Sequence, residues 1–314
     1  MCGSYKKRGG SYNKSGTLAY LVVNVLFLHL DVKHYKMKKL ILFFILSAIQ
    51  VSAKCQVFGK MVDKIAQSTV QIFDSLSSGS GIIVRDSSRV FLITAKHVIF
   101  DQNTNYSSLN FENADILFYA KNFKSDRKNL IKVDFKKLLK DGLLICDDQM
   151  DICVVNLADI EKNNIIRYKE GVFRNNSIKY EQYFLSKESI IPKDSVHLGE
   201  NVFIVGFPSS IGIPKIPQFD YEMPLLKRGS IAGISKKYNT IIVDCPVYHG
   251  NSGGPVFLER LDFEQYSIAL AGIVIEFIPL INSTIQKKDL ILETSSYSVI
   301  IPIEYALNLI NKIK

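Results

Sequence analysis

The segment Tyr248-His249-Gly250-Asn251-Ser252-Gly253-Gly254-Pro255-Val256 constrains this 314-residue chain more than any other. A serine between glycines sits on a turn too tight for bulky neighbours, and glycine supplies the backbone angles such a turn requires. The amides of Gly250 and Ser252 can then converge on one point, the arrangement that holds the negative oxygen of a tetrahedral intermediate. A serine hydroxyl is a weak nucleophile until a base takes its proton. One base candidate lies upstream in Phe91-Leu92-Ile93-Thr94-Ala95-Lys96-His97-Val98, where an apolar run ends at a histidine. Between the two lies Met150-Asp151-Ile152-Cys153-Val154-Val155, where a carboxylate heads an apolar run. Asp147 and Asp148 are close by, but only Asp151 directly precedes that run.

The order His97, Asp151, Ser252 decides between chemistries. Gly250-Asn251-Ser252-Gly253-Gly254 also fits the G-x-S-x-G nucleophile elbow of α/β-hydrolases, whose acid and histidine follow the serine. The histidines here are His29, His34, His97, His197 and His249, and none follows Ser252. The α/β-hydrolase order therefore cannot be completed, and the subtilisin order, with Asp before His, is not evident either.

The rest of the chain predicts an all-β fold. Short runs rich in Val, Ile, Phe and Tyr, broken by Gly, Ser, Asn and Asp, fall near 68–74, 80–85, 89–95, 115–120, 130–135 and 151–157. Others fall near 200–206, 229–234, 240–247, 254–258 and 267–276. Many short strands with turn signals between them indicate a barrel or sandwich. After Pro302, the residues Ile303, Leu307, Ile310 and Ile313 recur at helical spacing, predicting a C-terminal helix against the second half of the fold. Residues 158–199 are polar and weakly periodic, and are expected to form a long linker or a surface insertion between two halves.

The net charge of +9 does not indicate a nucleic-acid partner. Residues 1–53 hold eight of the Lys and Arg residues against Asp31 alone, which leaves the remainder near +2. That basic excess belongs to an export signal. Met37-Lys38-Lys39 precedes the apolar run Leu40 to Leu46, and Val51-Ser52-Ala53 ends in a small-x-small cleavage pattern. Cleavage is expected after Ala53, and Met37 is the expected translation start. A second apolar stretch, Leu18 to Leu30, leaves a two-segment membrane anchor as the alternative. Of the five cysteines, Cys55, Cys146, Cys153 and Cys245 survive that cleavage; they allow three pairings, and buried free thiols at Cys153 and Cys245 are equally compatible with the sequence. The acidic run 147–151 lacks the Gly and distant Glu of a calcium loop. Asn105, Asn175 and Asn282 begin N-x-S/T sequons.

These motifs resemble the trypsin-like serine peptidases, in style the bacterial Deg, or high-temperature-requirement, type without its PDZ modules. The matching pieces are Gly79-Ser80-Gly81-Ile82-Ile83, Thr94 to Val98, Asp151 to Val155, Gly199-Glu200-Asn201-Val202, Gly206-Phe207-Pro208, Gly250 to Pro255, Gly272-Ile273-Val274 and Ile300 to Ile303. They cover about residues 65–310. The resemblance implies two six-stranded antiparallel β-barrels of chymotrypsin-like form with a C-terminal α-helix. The first barrel would span about 65–157 and the second, with the helix, about 200–314. It implies a serine endopeptidase acting on proteins or peptides in the periplasm, the cell envelope or outside the cell. His97, Asp151 and Ser252 would be its triad, and Gly250 and Ser252 its oxyanion hole. It implies no metal, no organic cofactor and no nucleic acid, and membrane contact only through the N-terminus.

By the same resemblance, Pro246, His249, Ile275, Glu276 and Phe277 would line the primary pocket. Pro246 at the pocket base, where a carboxylate would select Lys or Arg, points to small or medium apolar residues before the cut; Glu276 could instead favour a basic one. Digestive trypsin-like enzymes carry Asp where this chain has Asn251, and pair it with a newly cut N-terminus; Asn251 resembles the Deg type, which needs no such cut. A catalytically silent binding domain of the same fold is the alternative.

Overall fold

The computed structural model describes residues 35–119, 128–174, 183–209, 220–262, 265–280 and 293–313. The apolar stretch Leu18 to Leu30 and the sequons at Asn175 and Asn282 lie outside them. The chain divides into two compact units, Met1–Gln56 and Val57–Lys314. Helix α1 (Tyr35–Ser68) begins in the first unit. Among the described residues no helix is long and apolar enough to cross a membrane. Near its end, Ile65 and Ala66 are buried in the core of the second unit.

The second unit is mostly β-structure in two sheets. The first sheet runs in the order β6-β7-β3-β2-β1-β4-β5-β9, with β8 added to β7 and β10 to β2. Its strands are β1 (Thr69–Phe73), β2 (Ser78–Asp86), β3 (Arg89–Thr94), β4 (Asn113–Tyr119), β5 (Lys128–Asp134), β6 (Leu144–Cys146) and β7 (Cys153–Ile160). The short β8 (Ile166–Tyr168), β9 (Val172–Arg174) and β10 (Leu185–Ser186) complete it. Strand β3 shows why the sheet curls into a barrel-like layer. Val90 through Thr94 are all buried, so neither face of this central strand meets water.

The second sheet is a closed antiparallel barrel in the order β11-β12-β13-β16-β15-β14. Its strands are β11 (Asn201–Gly206), β12 (Leu225–Ser235), β13 (Thr240–Asp244), β14 (Pro255–Asp262), β15 (Gln265–Leu280) and β16 (Glu293–Pro302). Val202, Ile204, Val243, Val256, Leu258 and Ile300 fill its interior. The expected chymotrypsin-like pair of barrel-like sheets is what the chain builds. Residues 158–199, expected as a linker or a surface insertion, supply β8, β9 and β10, which pair with β7, β5 and β2 of the first sheet.

Helix α4 (Glu304–Lys312) forms where the helical spacing predicted it. Ala306, Leu309 and Ile310 join a core cluster that contains the first sheet's buried residues together with Phe203, Val205, Phe257, Leu270 and Ile273 of the second barrel, outside the cluster that fills that barrel's interior. The Arg89 guanidinium also donates to the Ile313 carbonyl at 2.7 Å. The C-terminus thus straps back across the first half of the fold. Two shorter helices, α2 (Lys96–Ile99) and α3 (Phe135–Lys140), cap the ends of β3 and β5.

Candidate active site

Strands β2 and β3 form a hairpin, and β3 delivers the chain into α2 at the sheet's end. His97 occupies that helix's first turn, so a rigid, fully buried strand sets its position. Asp151 comes from the loop joining β6 to β7. Cys146 and Cys153 are register partners at the mouth of that loop and are joined by a disulfide. This settles a pairing that the sequence left open, and Cys153 is not a free thiol. Within the loop, one Asp147 carboxylate oxygen accepts from the backbone N–H of Gln149 at 3.0 Å and of Met150 at 2.9 Å. The Lys96 ammonium donates to the Asp147 carbonyl at 3.2 Å. Asp147 therefore shapes the loop, which frees Asp151 to face the histidine.

Both oxygens of Asp151 contact His97. Nδ1 lies 2.6 Å from Oδ2, and the His97 backbone N–H donates to Oδ1 at 2.9 Å. The two contacts fix the ring as well as its distance, leaving Nε2 as the nitrogen open to a proton. Tyr106 stands nearby. Its phenol pKa is raised by burial and then by the Asp151 charge, so it remains a neutral hydroxyl.

The turn that carries Ser252 joins β13 to β14. Gly250 and Gly253 have φ of +93° and +81°, which L side chains rarely adopt. The His249 carbonyl accepts from the Ser209 N–H at 2.9 Å, and the Asn251 carbonyl from the Gly254 N–H at 2.9 Å. Because C=O and N–H of a trans peptide point in opposite directions, tethering the His249 carbonyl aims the Gly250 N–H away from Ser209. Neither Gly250 nor Ser252 donates its N–H to a backbone carbonyl among the described residues.

His97, Asp151 and Ser252 line one cleft of about 350 Å³, together with Gln102, Val247, Tyr248, His249, Val274, Ile275, Glu276 and Phe277. Four of the five expected pocket residues line it. Pro246 does not line it; its carbonyl accepts from the Lys227 ammonium at 2.8 Å. Val247 and Tyr248, in the turn after β13, line the cleft instead. Gln102 comes from the loop after α2 and carried no sequence signal. The His249 and Phe277 rings meet edge to face, with centroids 5.8 Å apart and planes at 84°. His197 is exposed, away from this cleft. Cys245 is 1% exposed, and burial raises its thiol pKa; a neutral, enclosed thiol is unreactive. Among the described residues no group of three or more His, Cys, Asp or Glu side chains is arranged to hold a metal.

Deg5 matches at 15% identity over 80% of this chain and 91% of its own, with a TM-score of 0.44. The HtrA-type protease AlgW, solved with a tripeptide, matches at 14% over 82% of this chain and 63% of its own, with a TM-score of 0.47. A mutant of human heparin binding protein matches at 9% over 80% and 92%, with a TM-score of 0.48. No curated protein sequence matches significantly. The trypsin-like peptidase domain family matches residues 79–262, from the Gly79-Ser80-Gly81 strand through the turn that carries Ser252. With more than half of its length in that match, the chain belongs to the trypsin-like peptidase family.

Proposed function

We propose that this chain is a serine endopeptidase that hydrolyses peptide bonds of proteins outside the cytoplasm. The observation that carries the reading is the paired contact of His97 with Asp151 in the cleft that also contains Ser252. Ser252 Oγ attacks the scissile carbonyl carbon while His97 Nε2 takes the hydroxyl proton. The carbonyl oxygen, now negative, is held by the N–H groups of Gly250 and Ser252. His97 returns the proton to the departing amine as the C–N bond breaks, leaving an acyl group on Ser252. Water, deprotonated by His97, then releases the acid and restores the serine. Asp151 holds the imidazole in the tautomer that accepts at Nε2, and its charge favours the imidazolium that forms. No step requires a cofactor.

Action outside the cytoplasm is supported by the signal-like run from Met37 to Ala53 and by the Cys146–Cys153 disulfide, since such bonds persist in oxidising compartments. The direct test is hydrolysis of an unfolded protein substrate by wild type and by Ser252→Ala. The wild type should cleave, and the variant should lose at least about 10³-fold of the rate. Equal rates, or none in a well-folded wild type, would leave the silent binding domain as the better reading.

The same cleft suggests what precedes the cut. The His249–Phe277 ring pair narrows the cleft beside Ser252 and favours small or medium apolar side chains. Phe277→Ala should widen it and raise kcat/KM for Phe or Leu at that position about tenfold relative to Ala or Val, as read from a peptide library. Glu276, exposed on the same wall, offers the competing choice. Dominant wild-type cleavage after Lys or Arg, lost in Glu276→Gln, would reverse this assignment.

A further inference from the structure

An oxyanion hole works only if two peptide planes stay turned the right way, and a glycine at positive φ leaves such planes free to rotate. In digestive trypsin-like enzymes an ion pair to the residue before the nucleophile holds them. Asn251 occupies that place here. It is 2% exposed, and its Oδ1 has no hydrogen-bond partner among the described residues. The residue expected to anchor the turn therefore leaves its acceptor unused.

The anchor lies on the first barrel. Ser80, on β2, is 0% exposed. Its hydroxyl donates to the Gly250 carbonyl at 2.6 Å and accepts from the Phe207 N–H at 2.8 Å. One hydroxyl proton and one incoming N–H leave a single consistent orientation, with the proton on the Gly250 side. The Ser80 backbone N–H donates to the Ser252 carbonyl at 2.8 Å. Its own carbonyl accepts from the Thr94 hydroxyl at 2.7 Å, which ties the latch to the strand that delivers His97. Thus Ser80 holds the two peptide planes that directly follow Gly250 and Ser252, each adjoining the plane that carries the N–H of the same residue. It does so from a strand paired with the one that sets the base.

We infer that Ser80 is a positioning residue. Its hydroxyl is an inter-barrel latch that holds the oxyanion turn ready without a cut N-terminus, in place of the ion pair. The latch acts through Gly250 and touches no substrate, and it has a purpose only if Ser252 is the nucleophile proposed above.

The full chain and its Ser80→Ala variant should be compared in peptide hydrolysis and in binding of a peptide aldehyde, whose hemiacetal oxygen with Ser252 occupies the oxyanion hole. Binding of a non-reacting product peptide serves as the ground-state control. Ser80→Ala should lower kcat about 10- to 100-fold, below the about 10²–10³ seen when an oxyanion donor is removed outright. Aldehyde affinity should fall by a similar factor, while KM and product-peptide affinity stay within twofold. Ser80→Cys, which keeps a weak donor of similar size, should recover part of the loss. If Ser80→Ala does not fold, Ser80→Gly, which adds no buried methyl group, gives the same comparison. Unchanged kcat and aldehyde affinity, or equal losses for aldehyde and product peptide, would overturn the latch while leaving the peptidase reading intact. A folded wild type that neither hydrolyses peptide nor binds aldehyde would instead overturn the peptidase reading, and the latch with it.

Discussion

Asp151→Asn is expected to lower kcat about 10⁴-fold while leaving the fold intact. The reason lies in how the carboxylate is used. One oxygen accepts from the His97 backbone N–H at 2.9 Å and the other faces Nδ1 at 2.6 Å. An asparagine must keep its carbonyl on the backbone N–H, because its amide NH2 can only donate there. The NH2 then faces Nδ1 and forces that nitrogen to be the acceptor. The ring proton moves to Nε2, where the base for Ser252 must be vacant. Geometry is preserved and the tautomer is wrong. Steady-state kinetics with a thermal-melting control measures this. A variant within tenfold of wild type would mean that Asp151 does not set the tautomer of His97.

The second large effect is structural. Gly253→Ala should cost about 3–5 kcal/mol, combining overpacking with an L residue at unfavourable positive φ, and should lower the melting temperature by roughly 10 °C. Gly253 sits at φ +81°, and a Cβ there would collide with the Ser80 carbonyl oxygen and the Thr94 hydroxyl. One of those atoms is backbone of β2 and the other a buried side chain of β3, so neither can swing aside. The collision pushes the nucleophile turn off the latch strand, and activity should fall with stability. Gly199 is the control: it also has positive φ, at +81°, but a Cβ there meets nothing within 4 Å. Gly199→Ala should cost only about 1 kcal/mol. Equal melting temperatures for the two variants would show that the close approach at Gly253 is relieved elsewhere.

Much of the site was legible because its chemistry is local in sequence. The glycines around Ser252 mark their own turn, and the apolar runs into His97 and out of Asp151 mark strand ends. The choice of Asp151 over Asp147 rested on adjacency to an apolar strand. The structure gives the physical reason, since Asp147 is committed to the N–H groups of its own loop. What stayed hidden depends on which distant segments meet. Periodicity shows that α4 has an apolar face but not which sheet it covers. Strands of two or three residues, such as β8 to β10, are too short to show an alternation. The disulfide needs the register that places Cys146 opposite Cys153. The resemblance puts Pro246 in the pocket, whereas its carbonyl accepts from the Lys227 ammonium. Ser80 was visible within Gly79-Ser80-Gly81, but its role requires knowing that it meets Gly250 across 170 residues of sequence.

The central claim is that Ser252 is a nucleophile activated by His97. The measurement that reaches it most directly is labelling of the folded protein with a fluorophosphonate probe, with the adduct mapped by mass spectrometry. A stoichiometric adduct on Ser252, absent from Ser252→Ala and lost from His97→Ala, is the predicted result. A well-folded wild type that takes no label, or takes it at another residue, would contradict the account.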